Sequence, residues 1–127
     1  MKFILLVFLS ILPSSIRKLV YKLMGYNVSP RSHFGLFSII DIKSSANFAD
    51  GSSIGSFTYI RADELIIGKY SLISPFSFIS VPKVYIGNDT KISNCVIIRS
   101  GHINKYSELF VGDLVHIFPF VTIDCSR

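Results

Sequence analysis

The chain has no tryptophan, only two cysteines in 127 residues, and no acidic side chain before Asp41. Cys95 and Cys125 have neither the CxxC spacing of a metal site nor the density of a secreted disulfide scaffold. They are read as reduced thiols of a cytoplasmic protein. The late first acid means that Lys2, Arg17, Lys18, Lys22 and Arg31 stand unopposed, while the remaining eight bases are matched by eight acids, so the net charge of +5 sits in the first quarter. A surface built for nucleic acid would spread its bases, and none is expected as a partner. Long apolar runs are also missing. The longest, "FILLVFLSIL" from Phe3 to Leu12, is ten residues, about half of the ~20 that a helix needs to cross a bilayer. A secretory signal with Lys2 as its basic start is disfavoured by Pro13, which falls where a small residue belongs.

What is present is apolar bulk. Half of the residues are hydrophobic, eleven are Phe, and the mean hydropathy is +0.51. A chain of this length makes one domain or less and cannot hide that much apolar surface alone, which points to self-association or membrane contact and to a site shared between chains. After Pro13, Ser14 or Ser15 can cap a helix over "IRKLVYKLM". Ile16, Leu19, Val20 and Leu23 share one face, Arg17, Lys18 and Lys22 lie towards the other, and Gly25 is the natural stop. Residues 1–31 are therefore assigned to an apolar and basic helical segment. Two roles stay open for it: peripheral contact with anionic lipid through residues 3–24, or simple cover for an apolar end of the domain.

The dominant signal begins at Phe48. The chain can be cut into sixes that start with a bulky residue and carry a small one four places on, most clearly at Ile54-Gly55, Ile67-Gly68, Ile86-Gly87 and Val111-Gly112. Three sixes make one triangular coil, and most coils run to nineteen because the third side holds one extra residue. The starters align as Phe48, Ile54, Ile60; Ile67, Ile73, Ile79; Ile86, Ile92, Ile98; Val111, Ile117, Ile123. Strand alternation in an ordinary sandwich would give period two instead. The expected fold is all-β, a parallel β-helix of about four coils over residues 32–127 with a short N-terminal helical segment, breaking off in mid-coil at Arg127.

The Ile-Gly-x-x-(Ser/Thr/Val) columns, with the lead-in "ILPSSIRKLVYKLMGYNVSPRSHFG", resemble the hexapeptide-repeat acyltransferases, and most closely the branch that O-acetylates sugars of capsule, exopolysaccharide or lipopolysaccharide. The repeat resemblance covers roughly residues 41–127. It implies a left-handed helix, a homotrimer with sites between neighbouring prisms, acetyl-CoA as cosubstrate and a sugar or glycolipid acceptor; the basic N-terminal segment adds the expectation of a cytoplasmic protein, peripheral at the inner face of the membrane if that segment meets lipid. The alternative is a non-catalytic scaffold, or an inactive fragment of such an enzyme.

Position four after each starter is small on the first two sides but becomes Glu64, Lys83, His102 and Arg127 on the third, so that corner must open outward. Beside it, Arg61, Ser80, Arg99 and Asp124 give one edge a polar stripe. The second side reads Phe57, Phe76, Cys95, Phe120 and, two further on, Tyr59, Phe78, Ile97, Thr122, an aromatic ladder expected to pack on another chain. The interval from Ile98 to Val111 is thirteen residues, taken either as an extra hexapeptide or, by slight preference, as a loop over 102–110.

The family's base is an imidazole, a group that titrates near neutral pH. This chain offers His33, read as structural, and His102 and His116, of which His116 is the first choice because it leads into the aromatic side. Asp124 is assigned to orienting the base or the acceptor, and Arg61, Lys83 and Arg99 to phosphate groups of CoA. Relatives of the branch place a histidine three residues before an aspartate in a segment like "PFVTIDCS"; here that position is Val121, with only Asp124 matching. No metal is expected, since a zinc hydratase of this fold needs three converging histidines and His102 and His116 lie fourteen apart on different sides.

Overall fold

The structure, a computed structural model, describes residues 4, 8, 11, 14–100 and 108–124. Bulky residues at the expected cadence wind the chain into about four turns of a left-handed parallel β-helix. With strands numbered in chain order, the first wall stacks β1 (Asn27–Val28), the later halves of β3 (Ile39–Phe48) and β5 (Tyr59–Ile67), β8 (Lys83–Ile86) and β11 (Glu108–Val111). The second wall stacks β2 (His33–Phe34), β4 (Ser53–Ile54), β6 (Leu72–Ile73), β9 (Lys91–Ile92) and β12 (His116–Ile117). The earlier halves of β3 and β5, then β7 (Phe78–Ser80), β10 (Ile97–Arg99) and β13 (Thr122–Asp124), form the third.

The strand segment on each wall is short because only one or two side chains per wall point inward before the chain must turn, and β3 and β5 are longer because each covers two walls. Those side chains stack in three columns in strict register: Val28, Phe48, Ile67, Ile86, Val111; Phe34, Ile54, Ile73, Ile92, Ile117; and Ile40, Ile60, Ile79, Ile98, Ile123. The first four rungs of every column are buried, and the last is only partly so. The helix therefore starts one coil before Phe48, with Val28, Phe34 and Ile40, and β1 falls inside the stretch assigned to the helical segment 1–31. That coil is masked in the sequence because Ile40 to Phe48 takes eight residues, where a bulge between Ile42 and Ser45 shifts the register.

Two corners of the triangle are made alike and the third differently. Three residues after every starter on the first two walls except Val28 the backbone is left-handed, at Gly51, Tyr70, Asp89 and Leu114 on one corner and Phe37, Phe57, Phe76, Cys95 and Phe120 on the other. The strain of left-handed backbone at a bulky residue is about 1–2 kcal/mol. Ring stacking offsets it on the Phe corner, where Phe37 and Phe57 lie 5.2 Å apart and Phe57 and Phe76 5.3 Å apart, nearly parallel, each pair contributing about 0.5–1.5 kcal/mol. Hydroxyls finish these corners: Thr90 Oγ1 donates to the Gly112 carbonyl and Ser77 Oγ to those of Ser74 and Ser93. At the third corner the strand runs on round the bend. Ile42, Ala62 and Val81 point in before it and Leu65, Val84 and Leu109 after it, which leaves Glu64 and Lys83 outside, as their charge requires. Glu108, Leu109 and Phe110 belong to β11 and pair with β8, so the expected loop over 102–110 does not extend to them; residues 102–107 lie outside those described.

Glycines follow several starters because consecutive coils nearly touch there. A Cβ on Gly55 would come within 2.7 Å of the Ser74 carbonyl carbon, and backbone cannot move aside cheaply, whereas on Gly112 it would meet nothing closer than Val115 Cγ2 at 4.0 Å. Gly55→Ala is expected to lower stability by about 1–3 kcal/mol, read from the urea midpoint, and Gly112→Ala to leave it nearly unchanged.

The N-terminal helix α1 spans Ser14–Leu23, so it begins at the two serines and not after them as the capping reading expects. It ends in a Schellman turn, in which Tyr26 N donates to Tyr21 O and Gly25 N, at φ 93°, to Lys22 O. Its orientation corrects the sequence reading. Arg17 does not face solvent with Lys18 and Lys22 but is fully buried over the first coil. Its guanidinium donates to Gly35 O at 2.7 Å, Ser38 Oγ and Ser38 O at 2.8 Å and Tyr21 Oη at 2.7 Å, and lies 5.5 Å from the Tyr21 and Phe34 ring centres. Burial pushes the Tyr21 hydroxyl up from its ordinary pKa, against a smaller lowering by Arg17. With Arg17 and Tyr21 turned in, Ile16, Leu19 and Leu23 are turned out.

Candidate functional site

His116 opens β12, one residue before the inward Ile117, and so projects from the outside of the second wall. One coil below, the small residue after Ile92 leaves room beneath the ring. Ser93 Oγ lies 3.0 Å from His116 Nε2, and the Phe118 ring is 4.6 Å from the imidazole at a tilt of 39°. Ser93 is almost fully buried and fixes one nitrogen of an exposed ring. Its role was not read from the sequence. The signal for it was the sequence of residues following the second-wall starters, Gly35, Gly55, Ser74, Ser93 and Phe118, where only Ser93 adjoins a histidine in the next coil.

The polar stripe is real and in register. Asp41, Arg61, Ser80, Arg99 and Asp124 stack as one file on the third wall. Arg61 and Arg99 are exposed on either side of Ser80, two strand spacings or about 9.6 Å apart along the backbone. Lys83 is elsewhere, round the third corner. It stands between Glu64 and Glu108 in a second file, with its ammonium 3.6 Å from the Glu108 carboxylate. The Tyr85 hydroxyl donates to Glu64 at 2.7 Å, which raises its pKa above the ordinary value, and its ring stacks on Phe110 at 4.8 Å.

The expected site residues are thus divided among three walls. Asp124 is on the wall after His116, beyond the Phe120 corner. His33 occupies the same outward file as His116 but four rungs away, about 19 Å, with Ser53, Leu72 and Lys91 between. His102 lies outside the described residues. Among the described residues no group of three or more His, Cys, Asp or Glu is close enough to hold a metal ion.

The aromatic ladder assigned to the second side is in fact two adjacent files. Phe37, Phe57, Phe76, Cys95 and Phe120 are the corner itself, while Tyr59, Phe78, Ile97 and Thr122 belong to the third wall, where Tyr59 and Phe78 stack at 5.3 Å. Stacking uses the ring faces along the axis and presents only ring edges outward. Phe120 at the top is 81% exposed, directly after the wall that carries His116. No protein-family model matches the chain, and neither a curated protein nor a solved structure shows significant similarity to it.

Proposed function

We propose that this chain is a hexapeptide-repeat acyltransferase that moves an acyl group, acetyl in the simplest case, from coenzyme A to a sugar hydroxyl in capsule, exopolysaccharide or lipopolysaccharide synthesis. The observation that carries the reading is the imidazole of His116, held outside a parallel β-helix with one nitrogen at Ser93 and the other left for chemistry. In the tautomer whose Nε2–H donates to Ser93 Oγ, Nδ1 takes the proton of the acceptor hydroxyl. The hydroxyl oxygen then bonds to the thioester carbonyl carbon, the carbon–sulfur bond breaks, and the imidazolium returns its proton to the departing thiolate. An exposed aromatic corner beside this wall supports assembly as a homotrimer, in which a neighbouring prism would supply the stripe that His116 lacks on its own wall. Arg61 and Arg99 suit the phosphates of CoA as a forked pair of donors. Lys83, already engaged by Glu108, suits them less. Asp124 then acts at the acceptor and not on His116. The reading of a non-catalytic scaffold draws on Val121, which stands where the family's branch places a histidine.

The test is release of free thiol from acetyl-CoA by the purified chain across a panel of nucleotide sugars and polyprenyl-linked sugars. Acceptor-dependent release supports the enzyme, and none with any acceptor favours the scaffold. Where release is found, Arg61→Ala with Arg99→Ala is expected to raise KM for acetyl-CoA about tenfold with kcat little changed, the signature of lost uniform binding.

A further inference from the structure

We infer that the outward face of α1 docks on an anionic lipid surface, with Arg17 as the buried pin that turns this face out. This inference does not depend on the acyltransferase reading. An amphipathic helix on a domain normally turns its apolar stripe in. Here Arg17 and Tyr21 occupy the inner face through the four hydrogen bonds of the guanidinium, so Ile16, Leu19 and Leu23 have no place in the core and are 47%, 61% and 80% exposed. The same end adds exposed Leu36 and Phe37 from the corner beside Gly35, the residue whose carbonyl Arg17 holds.

Two features select the occupant. The first is charge. Lys18, which donates to the Pro30 carbonyl, Lys22 and Arg31 accompany this apolar face, and no acid precedes Asp41. A second copy docking by the same face would bring like charges together, whereas anionic headgroups would meet them at about 1 kcal/mol per base. The second is length. No helix among the described residues is long and apolar enough to cross a membrane, which fits a segment lying along the interface.

The experiment is co-sedimentation of the full chain with vesicles of phosphatidylcholine alone and of phosphatidylcholine with about one-third phosphatidylglycerol. Binding is expected only to the anionic vesicles and should weaken steadily between low and physiological salt. Leu19→Glu with Leu23→Glu, and separately Lys22→Glu with Arg31→Glu, are each expected to weaken it about tenfold or more, with unchanged circular dichroism because these side chains are exposed. Leu114→Glu, equally exposed at the opposite end of the prism, should leave it unchanged. Equal binding to both vesicles, binding to neither, an equal loss with Leu114→Glu, or dissociation of an oligomer by Leu19→Glu with Leu23→Glu would each overturn the inference.

Discussion

Replacing His116 with alanine is expected to lower acceptor-dependent thiol release from acetyl-CoA by about 10² to 10⁴-fold, the range a positioned general base contributes. The ring is exposed and makes one hydrogen bond from outside the wall, so the stability of the variant, read from its urea midpoint, should stay within about 0.5 kcal/mol of the parent. A loss of activity without a loss of stability separates a chemical role from a structural one. Ser93→Ala provides the intermediate case. It frees Nε2 and the ring orientation while keeping the imidazole, so a smaller fall in kcat with little change in KM is the outcome that assigns Ser93 to positioning. Undiminished release by His116→Ala would place the base on another residue, with His102 next in line.

The largest structural effect is expected at Arg17. Its guanidinium is fully buried and holds three oxygens of the first coil and the Tyr21 hydroxyl. Alanine would remove four hydrogen bonds, leaving only the Gly35 carbonyl with another donor, the Ser38 hydroxyl, and would remove the cation over the Tyr21 and Phe34 rings. Leaving a buried acceptor without its donor costs about 1–3 kcal/mol, so losing the guanidinium should cost several kcal/mol in all. Lysine keeps the charge but offers a compact ammonium in place of a planar fork, and cannot reach all four acceptors, so Arg17→Lys should recover only part of the loss. Because coils touch only their neighbours, the damage should be local: amide hydrogen exchange is expected to rise in α1 and over β1 and β2, while β5 to β9 keep their protection. A uniform rise along the whole chain would refute that view of α1 as a separable cap.

The inner columns were legible from Phe48 onward because burial on a narrow axis forces bulky side chains into fixed positions, and those positions are visible as a period. The coil before Phe48 was not, since one bulge between Ile42 and Ser45 broke the count of nineteen, although Phe34-Gly35 already carried the motif. Helical spacing showed that α1 has two faces without showing which is inside. That was decided by Ser38, Gly35 and Tyr21, three partners that meet around Arg17 only in the folded chain. The site was the least readable part. Arg61, Arg99 and Asp124 share a stripe because their spacing of a coil or more preserves the wall, but the bond between Ser93 and His116 depends on local depth and ring orientation that a period does not encode.

The third corner has one more consequence, for how this molecule can change its length in evolution. Deleting a single residue inside the first or second wall would turn every inward side chain of that wall outward and throw its file out of alignment with the coils on both sides. Removing or duplicating a whole circuit restores every neighbour, and the third corner already accepts gaps of eight, seven, seven and thirteen residues between starters. Viable indels in related genes should therefore fall into two kinds, full circuits near nineteen codons and small variations confined to that one vertex.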